Sequence, residues 1–231
     1  MKTCVQSEEK TFLWVWPRRA MPWLLVILLS NLAVYFLSKQ FNLGLPFHNV
    51  ATSLDQQIPF VAGWIWIYVL AYVQWAVGFT VLAWEEPSRI RRIAMAFAIS
   101  EGLCLLCFLL YPTMMIGRPE VEAEGSLTRW LCAWIFAADT PPTNLFPSIH
   151  CMQSWYVARM AFGTQTPAAY RWGMMGFSLL VFASTVLVKQ HVLIDIPGGI
   201  LVAEAGLFLS RLITGRRAFD RRAFDRRAEK G

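Results

Sequence analysis

Along this chain, apolar residues gather in long runs broken by short polar stretches. A helix crosses the roughly 30 Å hydrocarbon core of a bilayer with about 20 apolar residues. Six runs approach that length, at about 22–38, 60–84, 92–111, 149–163, 171–188 and 193–212. The fourth is the shortest and carries Gln153, so hydropathy supports it least. Between the third and fourth runs lies a polar segment, 112–148, containing LTRWLCAWIFAA, an amphipathic piece suited to lying on the membrane surface. A second such piece is expected within 41–58. The pattern predicts an all-α polytopic membrane protein, with a six-transmembrane-helix core bundle in residues 1–213 and short interfacial helices. A basic cytoplasmic tail over 214–231 follows.

Composition agrees with this pattern. Hydrophobic residues make up 56% of the 231, and there are eleven tryptophans, far more apolar surface than a soluble domain of this length needs. Trp14, Trp16, Trp64, Trp66, Trp84 and Trp155 fall mostly near the ends of runs, where indoles anchor at the interface. The net charge of +6 would point to nucleic acid in a soluble protein. Here the basic residues sit between greasy runs and in the tail, so membrane lipids, not nucleic acid, are the expected partners. The five cysteines show no disulfide framework. Cys104 and Cys107 form a CxxC inside GLCLLCFLL without a second ligand pair, which reads as packing or lipid contact. The first run follows Arg18 and Arg19, lacks a small-residue cleavage site and reads as a retained anchor.

Charge sets the orientation, because short cytoplasmic loops are enriched in Lys and Arg. With the N-terminus inside, the cytoplasmic side collects Lys2, Lys10, Arg18 and Arg19, then Arg89, Arg91 and Arg92, then Arg171, then the tail from Arg211. The other side holds Lys39, Arg118, Arg129 and Lys189. Both termini are therefore expected in the cytoplasm. Three polar stretches, Arg118 in MMIGRPE, FPSIH at 146–150 and KQHVLID at 189–195, then share the extracytoplasmic face.

Each stretch has a chemical reading and a plain one. His191 and Asp195, four apart, lie on one face if helical, so the carboxylate can orient one imidazole nitrogen and leave the other as a base or nucleophile. Alternatively, the two merely satisfy each other at headgroup level. Pro197 suits a first helical turn, and Gly198 and Gly199 permit close packing. Pro147 suits the first position of a helix, leaving the N–H groups of Ser148, Ile149 and His150 for an anion, with His150 beside it as a proton donor. The plain reading is a helix start facing water. Arg118 brings a fork of donors for phosphate oxygens, or simply a headgroup contact.

Taken in order, RP, PSIH and S-x6-H-x3-D resemble the type-2 phosphatidic acid phosphatase superfamily, whose signature reads K-x6-R-P, P-S-G-H and S-R-x5-H-x3-D. The resemblance covers roughly residues 60–212. It implies a six-helix membrane core, no metal or other cofactor, a lipid phosphate substrate and phosphoryl transfer through a phosphohistidine. Carried over by position, His191 is the nucleophile, Asp195 its orienting partner and His150 the general acid. Arg118, Ser148, Ser184 and backbone N–H groups hold the phosphoryl oxygens. Two of the signature's cations are missing, since Tyr111 stands at the first lysine and Thr185 at the arginine after the serine. Lys189, two residues before His191, is a candidate replacement. The pattern with Thr185 is similar to the branch containing inositol phosphorylceramide synthases, in which an alcohol replaces water as acceptor. A hydrolase, a phosphotransferase and a non-catalytic lipid-phosphate binder all remain open at this point.

Other polar residues have simpler expectations. Asp139 and Asn144 are turn formers ahead of FPSIH, with acceptor selection as a further role. His48 matches no motif and is expected at the interface. Glu101 and Glu204 fall inside apolar runs, where a carboxylate needs a partner. The tail repeat RRAFDRRAFDRRAEK has a five-residue period that fits no helical face, so it is expected to be solvated beside anionic lipid.

Overall fold

A computed structural model describes residues 20–41, 44–85 and 87–214. The basic tail from residue 215, like Lys2, Lys10, Arg18 and Arg19, lies outside the described residues. Eight α-helices are described: α1 (Met21–Gln40), α2 (Ser53–Gln57), α3 (Ile65–Glu85), α4 (Pro87–Leu110), α5 (Leu127–Ala138), α6 (Ile149–Ala161), α7 (Ala168–Leu187) and α8 (Asp195–Thr214). A 3-10 turn, Ala62–Trp64, leads into α3. Among the described residues there is no β-strand, only two isolated bridges, His48 to Thr113 and Met114 to Thr143.

Among the described residues, four helical stretches are long and apolar enough to cross a membrane: Met21–Gln40, Ala62–Glu85, Arg89–Leu110 and Asp195–Ile213. They coincide with the expected first, second, third and sixth runs. The fourth and fifth runs also fold as helices, but they fall short as independent spans. Helix α6 has 13 residues, about 20 Å at 1.5 Å per residue against a core of about 30 Å. Helix α7 has 20 residues but is not among the stretches apolar enough. The surroundings of α6 explain its polarity. It packs on α3, α7 and α8, and Cys151, Met152, Gln153, Ser154, Tyr156 and Val157 are all buried. A helix whose neighbours are protein does not need a lipid-compatible surface.

Beyond His150 in its first turn, its buried polar groups are matched inside the bundle. Ser178 Oγ donates to the Ser154 carbonyl at 2.7 Å, and Trp75 Nε1 donates to Ser154 Oγ at 2.9 Å. Gln153 and Asn31 both donate to Glu101 Oε1, at 3.3 and 3.1 Å. Glu204 Oε1 takes the indole N–H of Trp155 at 2.9 Å and pairs with Arg159 at 3.3 Å. Both in-run carboxylates therefore have partners on neighbouring elements. The outward surface has the opposite character: Leu25, Leu29 and Phe36 on α1, Val73 on α3 and Leu201 and Phe208 on α8 are exposed. Such a continuous apolar exterior matches lipid rather than water.

The two surface pieces differ from each other. LTRWLCAWIFAA forms α5, capped by Ser126 Oγ accepting from the Arg129 N–H at 3.2 Å, with Leu127, Trp130 and Trp134 exposed. Among the described residues of 41–58, five are helical, in α2. The rest of 44–58 forms a loop that crosses the site end of the bundle.

Candidate active site

The N-termini of α6 and α8 meet, and glycine allows it. A Cβ at Gly199 would lie 2.5 Å from the Ser148 carbonyl and 2.9 Å from the Met152 nitrogen, and one at Gly198 would lie 2.5 Å from the Phe146 ring. At this contact the Ser148 N–H donates to the Asp195 carbonyl at 3.2 Å. Ser148 is the N-cap of α6, its hydroxyl accepting from the Cys151 N–H at 3.2 Å. Pro147 thus lies ahead of the cap, not at the first helical position. The Ser148 N–H and hydroxyl both have structural partners, and the first-turn N–H groups of Ile149 and His150 remain outside the helix ladder.

His191 and Asp195 are brought together, though not on a helical face. Residues 188–194 are a turn, and α8 begins at Asp195. The Thr185 carbonyl accepts from the N–H groups of both Gln190 and His191 at 3.0 Å, and Lys189 takes φ 53° to make the bend. Asp195 is wholly buried. Its Oδ2 accepts from the Val192 N–H at 3.0 Å and meets His191 Nδ1 at 3.1 Å. With Nδ1 facing the carboxylate, the free nitrogen of His191 is Nε2.

His150 comes from the first turn of α6, and its ring centroid is 6.0 Å from that of His191. It stacks on Tyr68 at 4.3 Å and 22°, with Tyr72 at 5.6 Å and Trp75 at 5.1 Å completing the wall. These aromatics were not singled out from sequence. Their spacing along α3, four and then three residues, is the stripe that could have found them.

Arg118 joins through Gln190, whose Oε1 is 3.5 Å from Nη2. The guanidinium lies over the Phe136 ring at 4.8 Å. Its main partner is Asp139, with Nη2 to Oδ2 at 2.7 Å and Nη1 to the backbone carbonyl at 3.3 Å. The other oxygen of Asp139 takes Lys39 Nζ at 3.2 Å, so two cations bracket one carboxylate. A turn-forming role for Asp139 omits this ion pair, which joins residues 100 positions apart.

The remaining candidates serve other contacts. Lys189 Nζ donates to the carbonyls of Asp55 at 3.0 Å and Ile58 at 2.6 Å. Ser184 donates within α7 to the Val181 carbonyl at 2.7 Å, and Thr185 to Phe182 at 2.8 Å. Tyr111 stacks on His48 at 4.2 Å, so that histidine packs at the site end of the bundle. Two unanticipated residues hold the loops. Thr113 Oγ1 accepts from the N–H groups of Leu145 and Phe146 at 2.9 and 3.0 Å. Asp55 Oδ1 accepts from the Leu193 N–H at 2.7 Å.

Four buried side-chain atoms without a hydrogen-bond partner gather here: Arg118 Nε, His150 Nε2, Gln190 Nε2 and Asp195 Oδ1. Buried polar atoms are costly unless matched, and a cluster of them is what a polar ligand can satisfy. The donors among them, Arg118 Nε and Gln190 Nε2, suit an anion, whereas Asp195 Oδ1 calls for a donor. Among the described residues no three His, Cys, Asp or Glu side chains form a metal-ligand group. Neither the comparison with curated proteins nor that with solved structures gives a match. A family model described as the PAP2 superfamily matches residues 34–209.

Proposed function

This chain belongs to the PAP2 superfamily, whose members are phosphatases and phosphotransferases, and on that premise we propose that it hydrolyses a lipid phosphate through a phosphohistidine at the extracytoplasmic face. The observation that carries this reading is the 6.0 Å separation of the His150 and His191 rings, with Asp195 on Nδ1 of the latter.

In this mechanism His191 Nε2 attacks phosphorus while Asp195 steadies the imidazole and balances its developing charge. The bond to the lipid oxygen breaks as His150 gives that oxygen a proton. His150 then takes a proton from water as the water oxygen attacks the phosphorus, which releases inorganic phosphate and restores His191. Arg118 and the first-turn N–H groups of α6 stabilise the charge on the equatorial oxygens.

The chain is an integral membrane protein. Our reading of its topology is six alternating spans, α1, α3, α4, α6, α7 and α8, with α6 crossing inside the bundle and α7 packed on the side of α3 and α6. Two groups of contacts support the alternation. Lys39 at the end of α1, Tyr68 at the start of α3 and the starts of α6 and α8 share the site end. Arg89 at the start of α4 donates to the Gly163 carbonyl after α6, and Arg91 lies over Trp23 at the start of α1.

A second reading keeps the phosphohistidine but passes the group to an alcohol, as in the inositol phosphorylceramide synthase-like branch. It is favoured by Tyr111 and Thr185 at the two cation positions. The test is release of phosphate from phosphatidic acid and polyprenyl diphosphates by the purified chain, with and without candidate alcohols. Inorganic phosphate alone is expected, and a phosphorylated alcohol would favour the second reading. His191→Ala should abolish either product while still inserting in the membrane, and an active His191→Ala chain would remove the nucleophile.

A further inference from the structure

The nucleophile's turn is fastened on both sides to the same short segment. Lys189, two residues before His191, donates to the carbonyls of Asp55 and Ile58 at 3.0 and 2.6 Å. Leu193, two residues after it, donates its N–H to Asp55 Oδ1 at 2.7 Å. A backbone bond from the Val61 N–H to the Leu187 carbonyl at 2.9 Å extends the seam. Asp55 is itself fixed, since its Oδ2 takes the Thr52 N–H at 2.8 Å and the Thr52 hydroxyl at 2.6 Å in a capping box at the start of α2. Asp55 is 6% exposed, so these bonds work with little competition from water.

We infer that Asp55 and Lys189 are positioning residues for His191, a splint from the α1–α3 loop that sets the angle at which the imidazole meets phosphorus. This rests on the proposed role of His191. The turn is not helical, its bonds to the Thr185 carbonyl and to Asp195 Oδ2 are local ones, and Lys189 adopts a left-handed φ of 53°, a conformation that costs a non-glycine residue energy unless the surroundings fix it. The splint supplies that fixing. It also gives Lys189 a different job from phosphate binding, because two of the three ammonium donors already point at carbonyls. Burial pushes the Asp55 carboxyl upward, but the Thr52 and Leu193 donors and the Lys189 charge outweigh it and hold the group below its ordinary value. It therefore stays ionised across the neutral range.

The test compares the full-length chain with Asp55→Ala, Asp55→Asn and Lys189→Met, using phosphatidic acid in mixed micelles. A displacement of about an ångström at a reacting centre lowers rates by up to roughly a hundredfold. Asp55→Ala and Lys189→Met are expected to lower kcat about 10- to 100-fold with KM nearly unchanged. Asp55→Asn should recover part of the rate, because the amide oxygen still accepts from Leu193 while its NH2 group no longer accepts from the Thr52 N–H. Amide hydrogen exchange should quicken over residues 187–194 in Asp55→Ala and stay unchanged in α6. The inference is overturned if Lys189→Met raises KM at constant kcat, if Asp55→Asn is as slow as Asp55→Ala, or if exchange in the turn is unaltered. A wild-type chain that releases no phosphate removes the hydrolase reading, and the exchange measurement then decides whether the splint exists.

Discussion

At the scale of single residues, Asp195 carries the most consequence. One of its oxygens is shared between the Val192 N–H and His191 Nδ1, at 3.0 and 3.1 Å, so a single carboxylate both ties the turn and orients the imidazole. Asp195→Asn retains an acceptor for Val192 but removes the negative charge that steadies an imidazolium. It is expected to lower kcat by about two to four orders of magnitude and to leave KM for phosphatidic acid within a few-fold of wild type. Steady-state kinetics checks this, and a variant with unchanged kcat would remove Asp195 from the chemistry. Ser148 and His150 share the start of one helix, and the contact of His191 with Asp195 was legible from spacing because the two lie four residues apart. The partners of Arg118 were not: Asp139 is 21 residues away, Lys39 comes from α1, and no local pattern joins them. The spacing of His191 and Asp195 pointed to a helical face, whereas a turn capped by Asp195 produces the same contact.

At the scale of elements, the site exists because two helix N-termini approach more closely than side chains normally allow. Gly199→Ala would put a methyl 2.5 Å from the Ser148 carbonyl and 2.9 Å from the Met152 nitrogen, both backbone atoms that move only if a whole helix moves. Overpacking of this kind costs about 1–3 kcal/mol. The expected outcome is a lower thermal midpoint in detergent together with a loss of phosphate release. A fully active and stable Gly199→Ala chain would show that the α6–α8 contact is not needed. Long runs facing lipid gave α1, α3, α4 and α8 directly, since an exposed apolar surface leaves its mark on hydropathy. Helix α6 leaves a weaker mark because its partners are protein, and its Gln153 and Ser154 are matched by Glu101 and Trp75.

At the scale of the whole molecule, the six-span reading puts the catalytic end outside and the arginine-rich end inside. Glu122 and Gln165 are exposed in loops at opposite ends of the bundle. In intact cells a membrane-impermeant maleimide is expected to label Glu122→Cys, and to label Gln165→Cys only after permeabilisation. Equal labelling of both would contradict the orientation. In the proposed mechanism the fold acts as a frame that brings α6, α8 and the neighbouring loops around one phosphoryl group, with His191 Nε2 as the atom that receives it. The most direct measurement is a rapid acid-free quench of the wild-type chain with labelled phosphatidic acid, followed by mass spectrometry of the peptide carrying residues 187–199. A phosphoryl group is expected on His191, absent in His191→Ala and accumulating in His150→Ala supplied with a good leaving group. Turnover without any phosphorylated histidine, or with the label on His150 instead, would contradict it.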